Sequence, residues 1–303
     1  MLIGHRQTVN FLSESMDKKT LAHALCFVGP DQVGKRAVAA YLIARAFGVE
    51  EAKLAAHPDF FYLEREVDEK KNRLKKDISI AQAKTVGSFL ANKSWFGGTK
   101  AVLIDEAEAV NDEAANALLK TLEESIDNNL IILLTTDETL LPATVRSRCQ
   151  IINFSLVADD EIAEGLRQMG REAALAREAA KLSWGRPGRA IIFSTEPEAM
   201  DECRIESARM QKMMGAPFHQ KLKDTEELFG DKEDAVRGRD RLKRTLEIWT
   251  MIWREALRGD SLFGKTYRPA DAAEIIDALS EARDLLGRNI HPRLLIERIL
   301  LKI

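Results

Sequence analysis

Apolar residues along this chain keep two different rhythms, and the change falls near residue 157. In the first half, short unbroken apolar runs alternate with segments whose apolar positions recur at helical spacing. The runs are ALCFV (24–28), FFYLE (60–64), KAVLID (100–105), NLIILLTT (129–136) and CQIINFSL (149–156). Their length and flanks predict five strands. Between them, KRAVAAYLIARAFG (35–48) carries apolar residues at 38, 42, 43 and 46 and stops at Gly48. SIAQAKTVGSFLANK (79–93) opens with Ser79 as a helix cap, and NDEAANALLKTLEES (111–125) is rich in strong helix formers. Strands that alternate with helices predict a parallel sheet covered on both faces, with ligands held at the carboxyl ends of its strands.

After residue 157 the strand pattern stops. ADDEIAEGLRQMG (158–170) predicts a helix with Asp159 as N-cap and acids in its first turn. REAALAREAAKL (171–182) predicts a second, and SWGRPGRAIIF (183–193) a turn leading into a third. From about residue 200 the segments are longer and amphipathic. RDRLKRTLEIWTMIWREALRG (239–259) lines up Leu242, Leu246, Trp249, Trp253 and Leu257 on one stripe, and RNIHPRLLIERILLKI (288–303) follows. The stripe reads as the core of a helical bundle, with a subunit interface as the competing reading. The expected organisation is a nucleotide-binding domain over 1–157, a small helical lid over 158–198 and a helical domain over 199–303.

Composition narrows the class without naming it. The 303 residues are 45% hydrophobic and 31% charged, with a net charge of −3. No global positive field marks a nucleic-acid binder. Cys26, Cys149 and Cys203 lie far apart, with no C-x-x-C pair, so neither a zinc module nor a disulfide framework is readable. No apolar run reaches the length of a signal peptide or membrane span, and a reducing cytoplasmic setting is the expectation.

The candidate chemistry lies where strands end. GPDQVGKR (29–36) fits the phosphate-binding pattern G-x-x-x-x-G-K-[ST] at seven of eight positions. Gly29 and Gly34 allow the backbone to turn close to phosphate, and Lys35 would reach the outer phosphates. Arg36 stands where a hydroxyl normally ligates Mg²⁺, and a guanidinium has only donors. The loop follows a strand and opens a helix, as the motif requires; a relic that binds nothing is the competing reading. VLIDEAE (102–108) ends a strand in Asp105 and Glu106, one to hold Mg²⁺ through water and one to polarise attacking water. Thr135 and Thr136 end the next strand. TVRSRCQ (144–150) reads either as a solvated basic loop or as an arginine finger for a neighbour's nucleotide. DEKKNRLKKD (68–77) reads as a solvated hairpin, with phosphate contact the lesser alternative.

Taken together these segments resemble the AAA+ clamp-loader family over essentially the whole chain. The resemblance is carried by LAHALCFVGP (21–30), AHPDFFYLE (56–64), VLIDEAEAVNDEAANALLKTLEES (102–125), LLPATVRSRCQ (140–150), SWGRPGRA (183–190) and the last helix. It implies an α/β plus all-α architecture: an AAA+ P-loop domain with a parallel five-stranded sheet, a three-helix lid and a helical collar. Lys35 would be the Walker A lysine, with Asp105 and Glu106 as the Walker B pair. Thr136, or its neighbour Thr135, would be sensor 1, and Arg189 sensor 2. Ser147, Arg148 and Cys149 match the SRC motif, with Arg148 acting in trans. The implied partners are the loader's gamma/tau motor and delta subunits, the sliding clamp and, through the complex, primer–template DNA, in a mixed pentamer.

Three departures qualify this. The zinc-binding cysteines of many relatives are missing from VEEAKLAAHPD (49–59), so no zinc is expected. Ser125 replaces a usual proline. Arg36 replaces the magnesium hydroxyl, which makes ATP or ADP bound without turnover, with Mg²⁺ weak or absent, the expectation. A non-hydrolysing stator is the reading, an active motor subunit the alternative, and an AAA+ branch-migration motor a third.

Overall fold

The computed structural model describes residues 2–68, 73–123, 129–229, 235–257, 264–286 and 290–303. The chain divides into two compact units, Met1–Ile191 and Ile192–Ile303.

The first unit is built on β1 (Ala24–Val28), β2 (Phe60–Leu63), β3 (Lys100–Ile104), β4 (Asn129–Thr135) and β5 (Gln150–Asn153). They form one sheet in the order β2-β3-β4-β1-β5, with every neighbouring pair parallel. The helices are α1 (Arg6–Asp17), α2 (Lys35–Phe47), α3 (Ile80–Ala91), α4 (Asp112–Glu123), the short α5 (Ala143–Arg146), α6 (Asp159–Gln168), α7 (Ala173–Leu182) and the start of α8 (Pro187–Thr195), within which the division falls. Alternation along each strand divides the core in two. Cys26, Val102, Ile104, Ile131 and Leu133 pack with Val86 of α3 and Leu118 of α4. Leu25, Phe27, Leu103, Ile132 and Leu134 pack with Leu12 of α1 and Val38, Leu42 and Ile43 of α2. The strands are buried on both faces, which is why they read as continuous apolar runs.

Several local expectations are met in detail. Ser79 caps α3 and closes a reciprocal capping box with Gln82. Gly48 ends α2 in the left-handed conformation. Others are corrected. Asp159 is not the cap of α6: the N-cap is Ala158, with no side-chain bond, and Asp159 is the first helical residue among three acids in the first turn. The loop reading of TVRSRCQ gives way to the helical turn α5 at its start. The helix α1, whose amphipathic pattern went unread in the sequence, buries Leu12 against the sheet's second core. In the 68–77 segment, Val67–Asp68 and Arg73–Leu74 pair antiparallel, while 69–72 lie outside the described residues, as does Ser125.

The α6 helix is pressed onto this unit: a side chain at Gly165 would overlap Ile3, and the Val157 N–H donates to the Gly185 carbonyl at 2.9 Å.

The second unit is helical, with α9 (Pro197–Met213), α10 (Phe218–Thr225), α11 (Ala235–Leu257), α12 (Pro269–Leu285) and α13 (Pro292–Leu300). Leu242, Leu246, Trp249 and Trp253 are buried, as their stripe predicts. Leu257 is a correction, since it is 41% exposed at the last helical residue of α11. Trp249 Nε1 donates to Glu206 at 3.1 Å, and Arg209 closes the same carboxylate at 2.6 Å, so the buried acid is paired rather than orphaned. Among the described residues no helix is long and apolar enough to cross a membrane.

Candidate functional site

Because all five strands run the same way, the sheet has a carboxyl edge and an amino edge, and the candidate residues divide between them. The carboxyl edge carries the glycine loop. Gly29 adopts φ 153°, and a Cβ there would sit 2.2 Å from the Phe154 carbonyl oxygen, so only glycine fits. Gly34 adopts φ 115° at the N-cap of α2 and directs the first free N–H groups of that helix into the loop. His5 braces the loop, its Nε2 2.9 Å from the Val33 carbonyl. The Gly188 N–H donates to the Gln32 carbonyl at 2.9 Å, which brings the start of α8, and Arg189 beside it, to the same loop. Arg189 is buried, with its guanidinium 5.1 Å from the centre of the Trp184 ring.

The charged groups of this edge are turned toward one another. Lys35 is 8% exposed; its Nζ donates to the Gly29 carbonyl and, at 3.2 Å, to that of Pro30. Burial pulls its pKa below the usual lysine value, against the pull of Asp31, Glu108 and Asp105. Asp105 accepts from the Tyr62 hydroxyl at 2.8 Å, and Arg36 Nη1 lies 3.7 Å from the same oxygen. Burial first, and then the bond to Asp105, pushes the Tyr62 phenol up, so it stays a donor. Arg36 also stacks 4.6 Å over the Tyr62 ring. Glu106, at φ 48°, is gripped by Arg65 through both oxygens, one at 2.8 Å. Thr135 is buried and bonds locally to Asp137, whereas Thr136 Oγ1 donates to Glu108 at 3.0 Å.

The SRC segment lies at the other edge. Arg148 immediately precedes Cys149 and β5, whose first residue, Gln150, pairs with Leu25 near the start of β1. The glycine loop begins after Val28 at the far end of that strand. At about 3.3 Å per residue the four steps from Leu25 to Gly29 put roughly 13 Å along the strand direction between Gln150 and the loop, with Arg148 on the far side of Gln150. Arg148 Nε donates to Glu123 at 2.8 Å, Nη2 also reaches Glu123, and Nη1 donates to the Thr144 carbonyl at 2.9 Å and to Ser147 Oγ at 3.3 Å. The side chain remains 31% exposed. Cys149 packs against the core, and burial pushes its thiol up to about 11, so it is a protonated packing group.

A family model described as "DNA polymerase III, delta subunit" matches residues 4–158, half of the chain. The chain belongs to this family. It is 35% identical over 142 residues to the DNA polymerase III subunit delta-prime of Pseudomonas aeruginosa, covering 42% of each chain. Against the delta-prime subunit of Haemophilus influenzae it is 41% identical over 88 residues, 29% of this chain and 27% of the relative. The chain thus spans less than half the length of these curated relatives. Its fold is like that of a DNA polymerase III gamma subunit-related protein from Thermotoga maritima, with a TM-score of 0.52, 17% identity and 97% coverage of both chains. That likeness is one of fold: a parallel five-stranded sheet covered by helices, followed by a helical region.

The sequence singled out the loop, the acids and the SRC arginine of this chain, but not the residues they contact. Tyr62, Arg65 and Glu108 each fix a named site residue, and Glu123 fixes Arg148. The signal for Tyr62 and Arg65 was their place at the end of β2, beside β3. The same residues decide how well a divalent cation fits. The loop offers no hydroxyl at position 36, Asp105 is engaged by Tyr62 and Arg36, and Glu106 by Arg65. A dication about 4 Å from a guanidinium is repelled by about 2 kcal/mol even at the dielectric of water. A divalent ion beside Arg36 would meet that repulsion, and Asp105 and Glu106 would have to leave their present partners to ligate it. Among the described residues no group of three or more His, Cys, Asp or Glu side chains is gathered to hold a metal ion.

Proposed function

We propose that this chain is a delta-prime-type subunit of a DNA polymerase III clamp loader, a stator that hydrolyses little or no ATP itself and completes the ATP site of an adjacent motor subunit with Arg148. The sliding clamp and primer–template DNA would be handled by the complex as a whole, with gamma/tau and delta as the neighbouring subunits. The observation that carries the reading is the place of Arg148: it is a guanidinium, 31% exposed and held by Glu123, at the edge opposite its own glycine loop and out of reach of that loop. The tied carboxyl edge supports the same reading. Phosphoryl transfer needs positioned charge and a metal, and here Asp105 and Glu106 are held by tyrosine and arginine.

The test is ATP turnover, stimulated by clamp and primed DNA, in a loader rebuilt with its motor and delta subunits. Arg148→Ala in this chain should lower turnover at the site it completes by about 10³-fold, the range for a trans arginine finger. Lys35→Ala should leave turnover close to wild type. Equal losses from both variants would make this chain an active motor, the reading that its intact Lys35, Asp105, Glu106 and Arg189 otherwise favour.

A further inference from the structure

The arginine at position 36 has its own place in the site. Its guanidinium is held between the Tyr62 ring, at 4.6 Å, and the Asp105 carboxylate, at 3.7 Å. The tyrosine hydroxyl donates to that same carboxylate oxygen at 2.8 Å, so ring, acid and guanidinium form one cluster. The Arg36 side chain is also 64% exposed, and one ion-pair contact at 3.7 Å leaves most of its five N–H donors available to an incoming anion. Lys35, the preceding residue, is buried beneath the loop with its ammonium on the loop's own carbonyls, which phosphate oxygens can replace. Two cations therefore stand on consecutive positions at the start of α2, where the helix also directs N–H groups at the loop.

We propose that Arg36 is a built-in substitute for the divalent cation, so that the loop takes a nucleoside di- or triphosphate as the metal-free anion. Lys35 and Arg36 carry the positive charge that a bound metal would otherwise bring, and Tyr62 and Asp105 hold the guanidinium at the mouth of the loop. The guanidinium is the better substitute for a metal here than an ammonium, because its planar fork meets two phosphate oxygens at once. This deepens the reading of the loop as a nucleotide site that does not turn over, and it does not depend on what Arg148 does.

The experiment is direct titration of the purified chain with ADP and with ATP, by calorimetry, in excess Mg²⁺ and in excess EDTA. Wild type should bind with dissociation constants that agree within about twofold between the two buffers. Arg36→Ser removes the guanidinium and restores a hydroxyl. It should bind about tenfold more weakly in EDTA and recover when Mg²⁺ is added. Arg36→Lys should remain insensitive to Mg²⁺, with weaker binding than wild type. Thermal unfolding of each variant without nucleotide checks that the exposed position has not perturbed the fold. Wild-type binding that needs Mg²⁺ overturns the proposal, as does no binding in either buffer or an Arg36→Ser variant indifferent to Mg²⁺. Arg148→Ala should titrate like wild type. If its stimulated turnover in the rebuilt loader is also normal, the stator reading fails while this inference stands.

Discussion

The two edges of the sheet both tie their charged groups to partners in the same chain, but only one of them carries a phosphate loop. At the carboxyl edge, Lys35, Asp105, Glu106 and Thr136 all meet partners from their own chain, and a lysine that would reach phosphate is folded onto loop carbonyls. The geometry of a phosphate loop is intact while its acids are engaged elsewhere. At the amino edge, Arg148 has no phosphate loop of its own, yet it is fixed by Glu123 and Ser147 in a partly exposed position. A buried loop conformation is set by steric rules that a single side-chain change does not disturb, whereas metal chemistry depends on one ligand. A fold can therefore keep the first and lose the second.

The comparison can be broken most decisively at Arg148. Arg148→Lys keeps a positive charge but loses the planar fork, so in the rebuilt loader it should still cost about 10²-fold in stimulated turnover. Near-normal rates from lysine would reduce the amino edge to a diffuse charge effect. Next in size is Gly29→Ala at the carboxyl edge. Its Cβ would meet a backbone oxygen at 2.2 Å, and we expect a loss of about 3 kcal/mol in urea unfolding. A loss below about 1 kcal/mol would mean the loop is not sterically locked.

Asp59 probes the amino edge again. It is 1% exposed and accepts from Trp95 N–H and Ser94 Oγ at 2.9 Å and from Phe96 N–H at 3.3 Å, anchoring the loop that holds the exposed Trp95 and Phe96. Burial raises its pKa, but these three bonds outweigh that and hold the carboxyl below its ordinary value. Its folded pKa is the lower one, so the stability it lends is complete above the unfolded value, about 3.9, and is lost as pH falls through the folded value. Asp59→Asn should cost about 2 kcal/mol at neutral pH and flatten the pH dependence of stability below about pH 4. An unchanged acid limb would remove Asp59 from the account. The smallest effect expected is Ser79→Ala, about 1 kcal/mol from loss of the capping box, read as a shift in the urea midpoint.

Much of this was legible from the chain. Five strands appear as apolar runs because both faces of each are covered, and GPDQVGKR was readable because its glycines are demanded by backbone geometry. The partners were not legible. Tyr62 lies 43 positions from Asp105, and Arg65 lies 41 from Glu106, so only the register of β2 beside β3 brings them together. Glu123 and Arg148 are 25 positions apart, at the end of one helix and just ahead of a strand. Leu257 failed as a core residue because a periodic stripe does not tell where the neighbouring helix stops covering it.

The sequence alone therefore determined the strand–helix alternation, the glycine loop, the missing hydroxyl at Arg36 and the SRC arginine, since each follows from local spacing or side-chain chemistry. Only the tertiary structure decided that Arg36 rests on Tyr62 and Asp105, that Arg65 holds Glu106, and that Arg148 stands at the far edge from its own loop. Those facts depend on strand order and parallel register, which are settled by long-range pairing and burial rather than by any neighbouring residue.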